Sequence, residues 1–521
     1  MVNFKKVLGL AAPALVFAGM AFGQTPVACT LVSPAAPYIR AEGTTELLPQ
    51  IQVLCPTGTV LPSPLNAQVF VTPVVGITSL VLNTTTGATE AAASATTAGP
   101  AIAQGAVTGN AVTFSGITPA SGTAPFVISN IRINASQIPV ATGIPNAVNV
   151  SVFITSGNSV VATVAATPIA YVVPGLAASK ISGVSGVPVC NGSLANSPGF
   201  TVTIADFFPG AFKIMGAPSS APAMPQESSS LLVGSNAVNS GTRIKLVFSG
   251  VPSGATVYVP TSVVASDGSK IALTASETGA FSQVANSTAT GAPTSQGAGA
   301  VTITGGTGQA VYEVLVANST TIDTYSVPVF LVAASNSVPP STTPMSVAVS
   351  FAPIGSTNIP NFVVGSSTTS LTGSAFSVCA TNLLYPYITN LSGYDTGLAI
   401  ANTSTDPFGS KLGAVPQAGN CTLNFYGAGA PSGPVTSPSI PSGTVFTQIL
   451  SNIAPGFQGY MIAQCDFLFA HGYAFITNMV SAGTSGVAEG YLAGIIPDVN
   501  LTSGRKASPP TVAGAGESLG N

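Results

Sequence analysis

Few residues in this sequence could carry chemistry, which limits the reactions open to the chain. It has a single histidine, His471, with Asp466 shortly before it. A histidine near a carboxylate can serve as a general base, but nucleophilic catalysis also needs a serine or cysteine beside that base. No such nucleophile stands next to His471. We therefore interpret His471 as a strand-end residue that hydrogen-bonds to backbone.

The acidic pair Glu42 and Glu46 follows Arg40 closely. Two carboxylates at a suitable separation are the machinery of glycoside hydrolases. In an extended strand, residues 40, 42 and 46 share one face, so that Arg40 can neutralise a carboxylate. The spacing favours a structural ion pair, or a site that binds a partner, over a catalytic pair.

Sequence motifs of common enzymes and metal sites are absent. There is no G-x-S-x-G, P-loop, G-x-G-x-x-G or H-E-x-x-H, so hydrolase, nucleotide and zinc-peptidase chemistry lack their signatures. Asp395 and Asp406 stand in turn-like sequences without a D-x-D-x-D-G calcium pattern. The sequence predicts no catalytic residue, no cofactor, no metal site and no enzymatic activity.

An even number of cysteines, six, is typical of a disulfide framework in an exported chain. A metal site is disfavoured because no C-x-x-C is present. We expect Cys29 to pair with Cys55, because no other cysteine occurs before Cys190, and Cys421 to pair with Cys465 inside one predicted domain. Cys190 and Cys379 would then form a bridge between modules. In the alternative, Cys379 pairs with Cys421 or Cys465.

Tyrosines are the candidate ligand-binding aromatics, because the chain has no tryptophan. Sugar-binding sites need exposed aromatic platforms, and the third part of the chain could supply them. The alternative is that these tyrosines fill corners of a β-sandwich, with the ring buried and the hydroxyl bonded to backbone. The candidates are Tyr385, Tyr387, Tyr394, Tyr426 and Tyr460.

The elements that must position these residues are β-strands. Apolar and polar residues alternate with period two over residues 148–155, 200–204 and 345–351, which buries one face of each strand. Clusters of Gly, Pro, Ser and Asn separate such segments and are typical of turns. The alanine-rich stretch Ala91–Ala98 is broken by threonine and is expected to be a loop or a single turn. The pattern predicts an all-β chain of tandem β-sandwich modules, Ig-like or jelly-roll-like.

Composition shifts divide the chain into a leader, three modules and a tail. The leader has a basic start, an apolar stretch and a small-residue site ending at Gly23, as in a secretory signal peptide. The second module carries two polar insertions, Gly216–Gly241 and Ser282–Ala300, expected to be mobile loops. The predicted parts are signal peptide 1–23, module one 24–174, module two 175–354, linker 355–374, module three 375–497 and disordered tail 498–521.

Charge excludes some partners. The chain has 12 Lys and Arg against 15 Asp and Glu, too few basic residues for a stripe that neutralises nucleic-acid phosphates. No later segment is long and apolar enough for a membrane-spanning helix. We expect an exported protein, secreted or at the cell surface.

Several local motifs are similar to those of uncharacterised secreted proteins common in acidobacterial genomes. In the first module these are Arg40-Ala41-Glu42-Gly43 and Thr45-Glu46 before Cys55. In the third module they are residues 382–390, 393–397, 400–403, 421–427 and 454–460, closing on Cys465 and His471-Gly472. The resemblance implies export and β-sandwich modules, and brings no catalytic residues.

The leading functional hypothesis is a non-enzymatic structural protein of the cell envelope or extracellular matrix. Its low charge permits close association with copies of itself or with other surface and matrix components. The first alternative is a carbohydrate-binding or adhesive surface protein that uses the third-module tyrosines. The second is a secreted hydrolase of unrecognised type.

Overall fold

A computed structural model describes residues 25–32, 36–94, 102–120, 126–184, 186–188, 198–216, 227, 238–289, 292–293, 297–333, 338, 343–363, 370–377, 380–407, 416–478 and 486–496. Within these ranges the regular structure is β-strand, apart from a 3-10 turn at Ala135–Gln137 and a short helix, α1, at Leu450–Ile453. The all-β prediction is therefore confirmed. No helix in these ranges is long and apolar enough to cross a membrane. The predicted signal peptide and tail lie outside the described residues.

The chain divides into two compact units. The first holds the described residues of Met1–Gly175, Met215–Gly241 and Pro353–Ser366, and the second holds those of Leu176–Ile214, Thr242–Ala352 and Ser367–Asn521. Along the sequence, the sheets fall into three groups, formed within residues 27–173, 180–377 and 381–496. The three-module division stays a prediction.

The first unit contains one large sheet, and the strand pairings of this sheet form a closed path. β1 pairs with β4 on one side and with β13 on the other, and the remaining pairings run from β4 through β10, β7, β8, β9, β5 and β12 to β13. The strands are β1 (Val27–Val32), β2 (Tyr38–Arg40), β3 (Glu46–Leu47), β4 (Ile51–Leu54), β5 (Leu65–Thr72), β6 (Val81–Asn83), β7 (Ala88–Ser94), β8 (Ile102–Thr108), β9 (Ala111–Ile117), β10 (Phe126–Ser129), β11 (Arg132–Ile133), β12 (Asn146–Ser156) and β13 (Ser159–Val173).

Apolar residues at alternate positions of the strands form the core of this unit. In β5, Leu65, Ala67, Val69 and Val71 are fully buried, and the residues between them are not. β12 pairs with β5 in register and buries its own valines and Ile154 in the same core. The period-two pattern of the sequence thus becomes the inner face of the sheet.

Two sheets form the middle group, in the second unit. Their orders are β14-β16-β24-β18-β21 and β19-β20-β23-β17-β25-β26, with β15 and β27 as a separate parallel pair. Phe212 contacts both sheets, since its ring packs against Tyr325 on one and Phe351 on the other. The strands are β14 (Lys180–Ser182), β15 (Val187–Pro188), β16 (Phe200–Ala205), β17 (Arg243–Ser249), β18 (Thr256–Pro260), β19 (Ser262–Val264), β20 (Lys270–Thr274), β21 (Ala298–Val301), β22 (Ile303–Thr304), β23 (Thr307–Val316), β24 (Thr324–Val332), β25 (Ser346–Ala352), β26 (Ser370–Thr372) and β27 (Phe376–Ser377).

The third group is a β-sandwich, also in the second unit. The β28 sheet has the order β31-β30-β33-β28-β36, and the β29 sheet has the order β32-β29-β34-β35. Leu383 and Leu423 of the first sheet share one core with Leu398 and Ile400 of the second. The strands are β28 (Thr381–Thr389), β29 (Tyr394–Asn402), β30 (Cys421–Ala428), β31 (Val435–Thr436), β32 (Val445–Ile449), β33 (Gln458–Cys465), β34 (Ala470–Asn478), β35 (Ala488–Leu492) and β36 (Gly494–Ile496).

Segments expected to be irregular contribute to the sheets. The prediction of a loop at Ala91–Ala98 is wrong over its first part, because β7 extends to Ser94. Ala91 and Ala93 of this strand are buried in the core. The insertion 282–300 ends inside β21 (Ala298–Val301), which pairs with β18. In the expected linker 355–374, Asn361 accepts a hydrogen bond from the Thr44 amide, and Ser370–Thr372 forms β26.

Candidate functional site

The outward side of the β28 sheet carries three exposed tyrosines among uncharged residues. Outward positions on β30 and β33 follow the alternation of these strands, because the intervening residues Leu423, Met461 and Ala463 are buried. We name this surface the tyrosine face; its residues are Tyr387, Tyr426, Tyr460, Asn424, Gln458 and Gln464.

Tyr426 and Tyr460 lie directly opposite each other on β30 and β33. Their rings stack with centroids 5.0 Å apart and an angle of 14° between planes. Cross-strand aromatic pairs of this kind stabilise each other and hold both rings in place. The two side chains are nonetheless 45% and 42% exposed, so the pair presents a preformed aromatic platform to solvent.

Two glycines next to this pair let the strands approach closely. Gly427 and Gly459 are paired partners, and Gly427 has φ of +150°. A Cβ at Gly427 would collide with the Gln458 carbonyl oxygen, and one at Gly459 would collide with the Tyr426 carbonyl oxygen. Glycine is therefore required at both positions, because the two backbones are too close there for a side chain.

Tyr387 reaches the same face through an irregularity in β28. Tyr385 and Tyr387 would share a face in a regular strand, but the register against β33 shifts between Tyr385 and Ile388. Tyr385 is fully buried and Tyr387 is 45% exposed. The Tyr387 hydroxyl accepts a hydrogen bond from Gln458 Nε2 at 3.2 Å, which joins it to the outward row of β33.

Amide side chains surround the tyrosines. Asn424 Nδ2 donates to Gln464 Oε1 across the strands at 3.4 Å. The outward positions of β28, β30 and β33 carry no Lys, Arg, Asp or Glu. Amides offer both donors and acceptors, so this surface can hydrogen-bond to a neutral polar ligand without ionic contacts.

Two of the predicted aromatics lie elsewhere. Tyr385 is excluded as a platform because it sits in the sandwich core, where its hydroxyl donates to the Ala399 carbonyl of the opposite sheet at 3.0 Å. Burial raises the pKa of its hydroxyl well above the ordinary value. Tyr394 begins β29 in the other sheet and is only partly exposed. The corner-filling alternative thus describes Tyr385, whereas Tyr387, Tyr426 and Tyr460 have the exposure that a platform needs.

The β29 sheet carries a second exposed surface that the sequence reasoning missed. Tyr473 and Phe475 on β34, each 41% exposed, border a shallow groove of about 480 Å³. Its floor is Gly397 and Ala399 of β29, and its far side is Thr447 and Ile449 of β32. The alternation of small and aromatic residues over 470–475 is the signal that could have identified it.

Two of the three expected disulfides lie in the described part of the chain. Cys29 is bonded to Cys55 and Cys421 to Cys465, the latter pair lying opposite each other on β30 and β33. Cys190 and Cys379 lie outside the described residues. The parallel pair β15 and β27 ends two residues before each of these cysteines, and the Cys190–Cys379 bond stays a prediction.

The acidic residues near Arg40 are structural. Arg40 is 1% exposed and contacts Glu46 at 2.6 Å and Glu227 at 2.9 Å. Glu42 is also buried, and its carboxylate accepts the Gly175 amide at 2.8 Å. The predicted ion pair is confirmed, although a turn rather than a single strand brings Glu46 back to Arg40. Glu227 was not expected, because it is distant in sequence.

The described residues contain no group of three or more His, Cys, Asp or Glu placed to hold a metal ion. His471 lies on β34, half-buried, with Ala401 as its partner on β29.

Comparison with known proteins identifies no family. No family model and no curated protein matches the chain. Among solved structures, the major pilin subunit of Bacillus cereus is similar at 9% identity and a TM-score of 0.22, over 79% of this chain and 91% of that one. A biofilm-associated protein domain gives 8% identity and a TM-score of 0.18, over 92% and 98%. A tip adhesin from Pseudomonas aeruginosa gives 10% and 0.16, over 68% and 100%. At these TM-scores the likeness supports no functional argument.

Proposed function

We propose that this chain is an exported, non-enzymatic surface protein whose third module binds a neutral polysaccharide. The observation that carries the proposal is the stacked, exposed pair of Tyr426 and Tyr460 on an uncharged, amide-rich sheet face. A tyrosine ring offers a rigid apolar surface with a polar edge. That combination suits a sugar, whose ring has apolar faces and a rim of hydroxyls.

The ligand class follows from what surrounds the rings. Asn424, Gln458 and Gln464 can exchange hydrogen bonds with hydroxyls in either direction. An acidic polymer would require lysine or arginine at the outward positions, and none is there on β28, β30 or β33. The extended flat surface suits a chain polymer better than a small molecule, which binds in concave sites.

Export is supported by the disulfides. Cys29–Cys55 and Cys421–Cys465 are bonded, and structural disulfides persist in oxidising compartments. The predicted leader gives a route to such a compartment. The non-enzymatic part of the proposal is supported by the burial of Glu42 and Glu46, which places the candidate acid pair out of a substrate's reach.

A structural role through self-association is the second candidate. It is favoured by the groove beside Tyr473 and Phe475, because this is an exposed apolar surface on the sheet opposite the tyrosine face. Sedimentation of the mature chain across a concentration series tests it; a monomer at all concentrations would remove this candidate.

A glycan array with the mature chain tests the main proposal, followed by titration of the best neutral polysaccharide. We expect selective micromolar binding that weakens about fivefold in Tyr426→Ala or Tyr460→Ala, since each ring contributes on the order of 1 kcal/mol. Tyr473→Ala is the matched control, because Tyr473 is equally exposed but lies on the other sheet. Binding only to charged glycans, or an equal loss in Tyr473→Ala, would contradict the proposal.

A further inference from the structure

Two buried aspartates face each other at one end of the β16–β24 strand pair. Ala205 pairs with Thr324 as the last rung of this ladder, and Asp206 and Asp323 come directly beyond it. The Asp206 amide donates to the Asp323 carbonyl at 3.2 Å, and the Asp323 amide donates to Asp206 Oδ1 at 2.9 Å. The two residues are 1% and 0% exposed. Like charges at opposed positions of a sheet are unfavourable, and here they are also removed from water.

The surroundings do not neutralise the pair. Asp206 Oδ2 and Asp323 Oδ1 are buried without a hydrogen-bond partner. None of the ion pairs among the described residues involves either aspartate. The ionisable groups that interact with the pair are Asp267, in the turn between β19 and β20, and Tyr325 on β24. Neither brings a positive charge.

Asp267 contributes a further carboxylate on the solvent side. It accepts hydrogen bonds from the Ser269 hydroxyl at 2.7 Å and the Ser269 amide at 3.0 Å, and these bonds lower its pKa. Its charge in turn raises the pKa of Asp323.

Electrostatics agree with this geometry. Burial, followed by the charge of Asp323, raises the pKa of Asp206 to about 7. Burial also raises the pKa of Asp323 to about 7; the charge of Asp267 acts in the same direction, and the Asn318 amide, which donates to Asp323 Oδ2 at 3.2 Å, acts against it. Burial raises the pKa of Tyr325 as well, so this group stays neutral over the same range.

We propose that Asp206 and Asp323 form a proton-operated latch on the β16–β24 end of the five-stranded sheet. The latch is closed while the carboxyls hold protons and loosens when they ionise. The sign follows from linkage: opening exposes the carboxyls, whose pKa then falls to about 3.9, and protons are released. The closed state is therefore fully stable below about pH 4, and it loses stability as pH rises through about 7.

Hydrogen exchange of the mature chain, followed by mass spectrometry of peptides covering residues 200–206 and 323–329, tests the latch. After correction for intrinsic exchange rates, the opening constant should rise about tenfold per pH unit between pH 5 and 7 for each proton released. Asp206→Asn, a neutral isostere, removes one of the two protons and should halve the slope of this dependence on a logarithmic scale. Glu489→Gln, an exposed change on β35, should leave it unaltered.

Opening that is independent of pH in the unmodified chain would overturn the proposal, as would a slope that Asp206→Asn leaves undiminished. A calcium-induced closure at pH 8 that is absent in Asp206→Asn would also overturn it, because the pair would then hold a cation instead of protons. If Asp206→Asn does not fold, infrared spectroscopy of the unmodified chain decides. A band of buried protonated carboxyl groups should persist at pH 6 and vanish by pH 9, and its absence at pH 6 would contradict the latch.

Discussion

Replacement of Arg40 by methionine should destabilise the first unit severely. The guanidinium is 1% exposed, and its Nε donates to Glu46 Oε1 at 2.7 Å. Its two terminal nitrogens donate to the two carboxylate oxygens of Glu227 at 2.9 and 3.0 Å. Arg40→Met keeps much of the packing but leaves two buried carboxylates, 1% and 2% exposed, without their cation.

The size of the stability loss follows from the burial of the two carboxylates that lose their cation. Removing one partner of a buried ion pair costs about 3–5 kcal/mol, which corresponds to about two to four powers of ten in the opening constant. Lys245→Met is the matched control, because Lys245 contacts Glu277 at a similar 2.9 Å but the two side chains are 13% and 20% exposed. Its pair should contribute less than about 1 kcal/mol.

Hydrogen exchange of peptides in the first unit measures this loss directly. The deficit of Arg40→Met should shrink as pH falls toward about 4.3, the ordinary pKa of glutamate, because burial without a cation favours the protonated form. Arg40→Lys should recover only part of the stability, since a single ammonium cannot contact both carboxylates in the same geometry. A loss below 1 kcal/mol in Arg40→Met, or one that grows in acid, would refute the reasoning.

Two further predictions concern the third module. The double change Cys421→Ser and Cys465→Ser removes a disulfide that links residues 44 apart in sequence. It should lower the free energy of unfolding of the sandwich by about 4 kcal/mol in the chain-entropy estimate. Urea unfolding measures this, and a loss under about 1 kcal/mol would contradict it. Tyr385→Phe removes the hydrogen bond to the Ala399 carbonyl and should cost about 1 kcal/mol, while leaving polysaccharide binding unchanged because the ring is buried; weakened binding at unchanged stability would disagree with that placement.

Local patterns predicted the strands well because period two is a local property. The alternating segments over 148–155 and 200–204 lie in β12 and β16, and residues 346–351 of the third segment lie in β25. The strand at Ala91–Ala93 is not predictable in this way, since these alanines are buried in a core that only the fold creates.

The tyrosine face was only partly predictable. Tyr426 and Tyr460 were among the candidates, but their opposition depends on strand register between β30 and β33. The outward turn of Tyr387 depends on a bulge that the sequence does not mark. Glu227 and the Asp206–Asp323 pair depend on contacts between residues far apart in the chain, which one sequence cannot supply.

The central claim is that the tyrosine face binds a neutral polysaccharide through ring contacts and amide hydrogen bonds. Titration calorimetry of the mature chain with a soluble fragment of that polysaccharide, at low and high salt, tests it most directly. Because no outward residue of β28, β30 or β33 is charged, the affinity should be the same at both salt concentrations and should be lost in the double variant Tyr426→Ala and Tyr460→Ala. Binding that weakens with salt, or that survives in the double variant, would contradict the account.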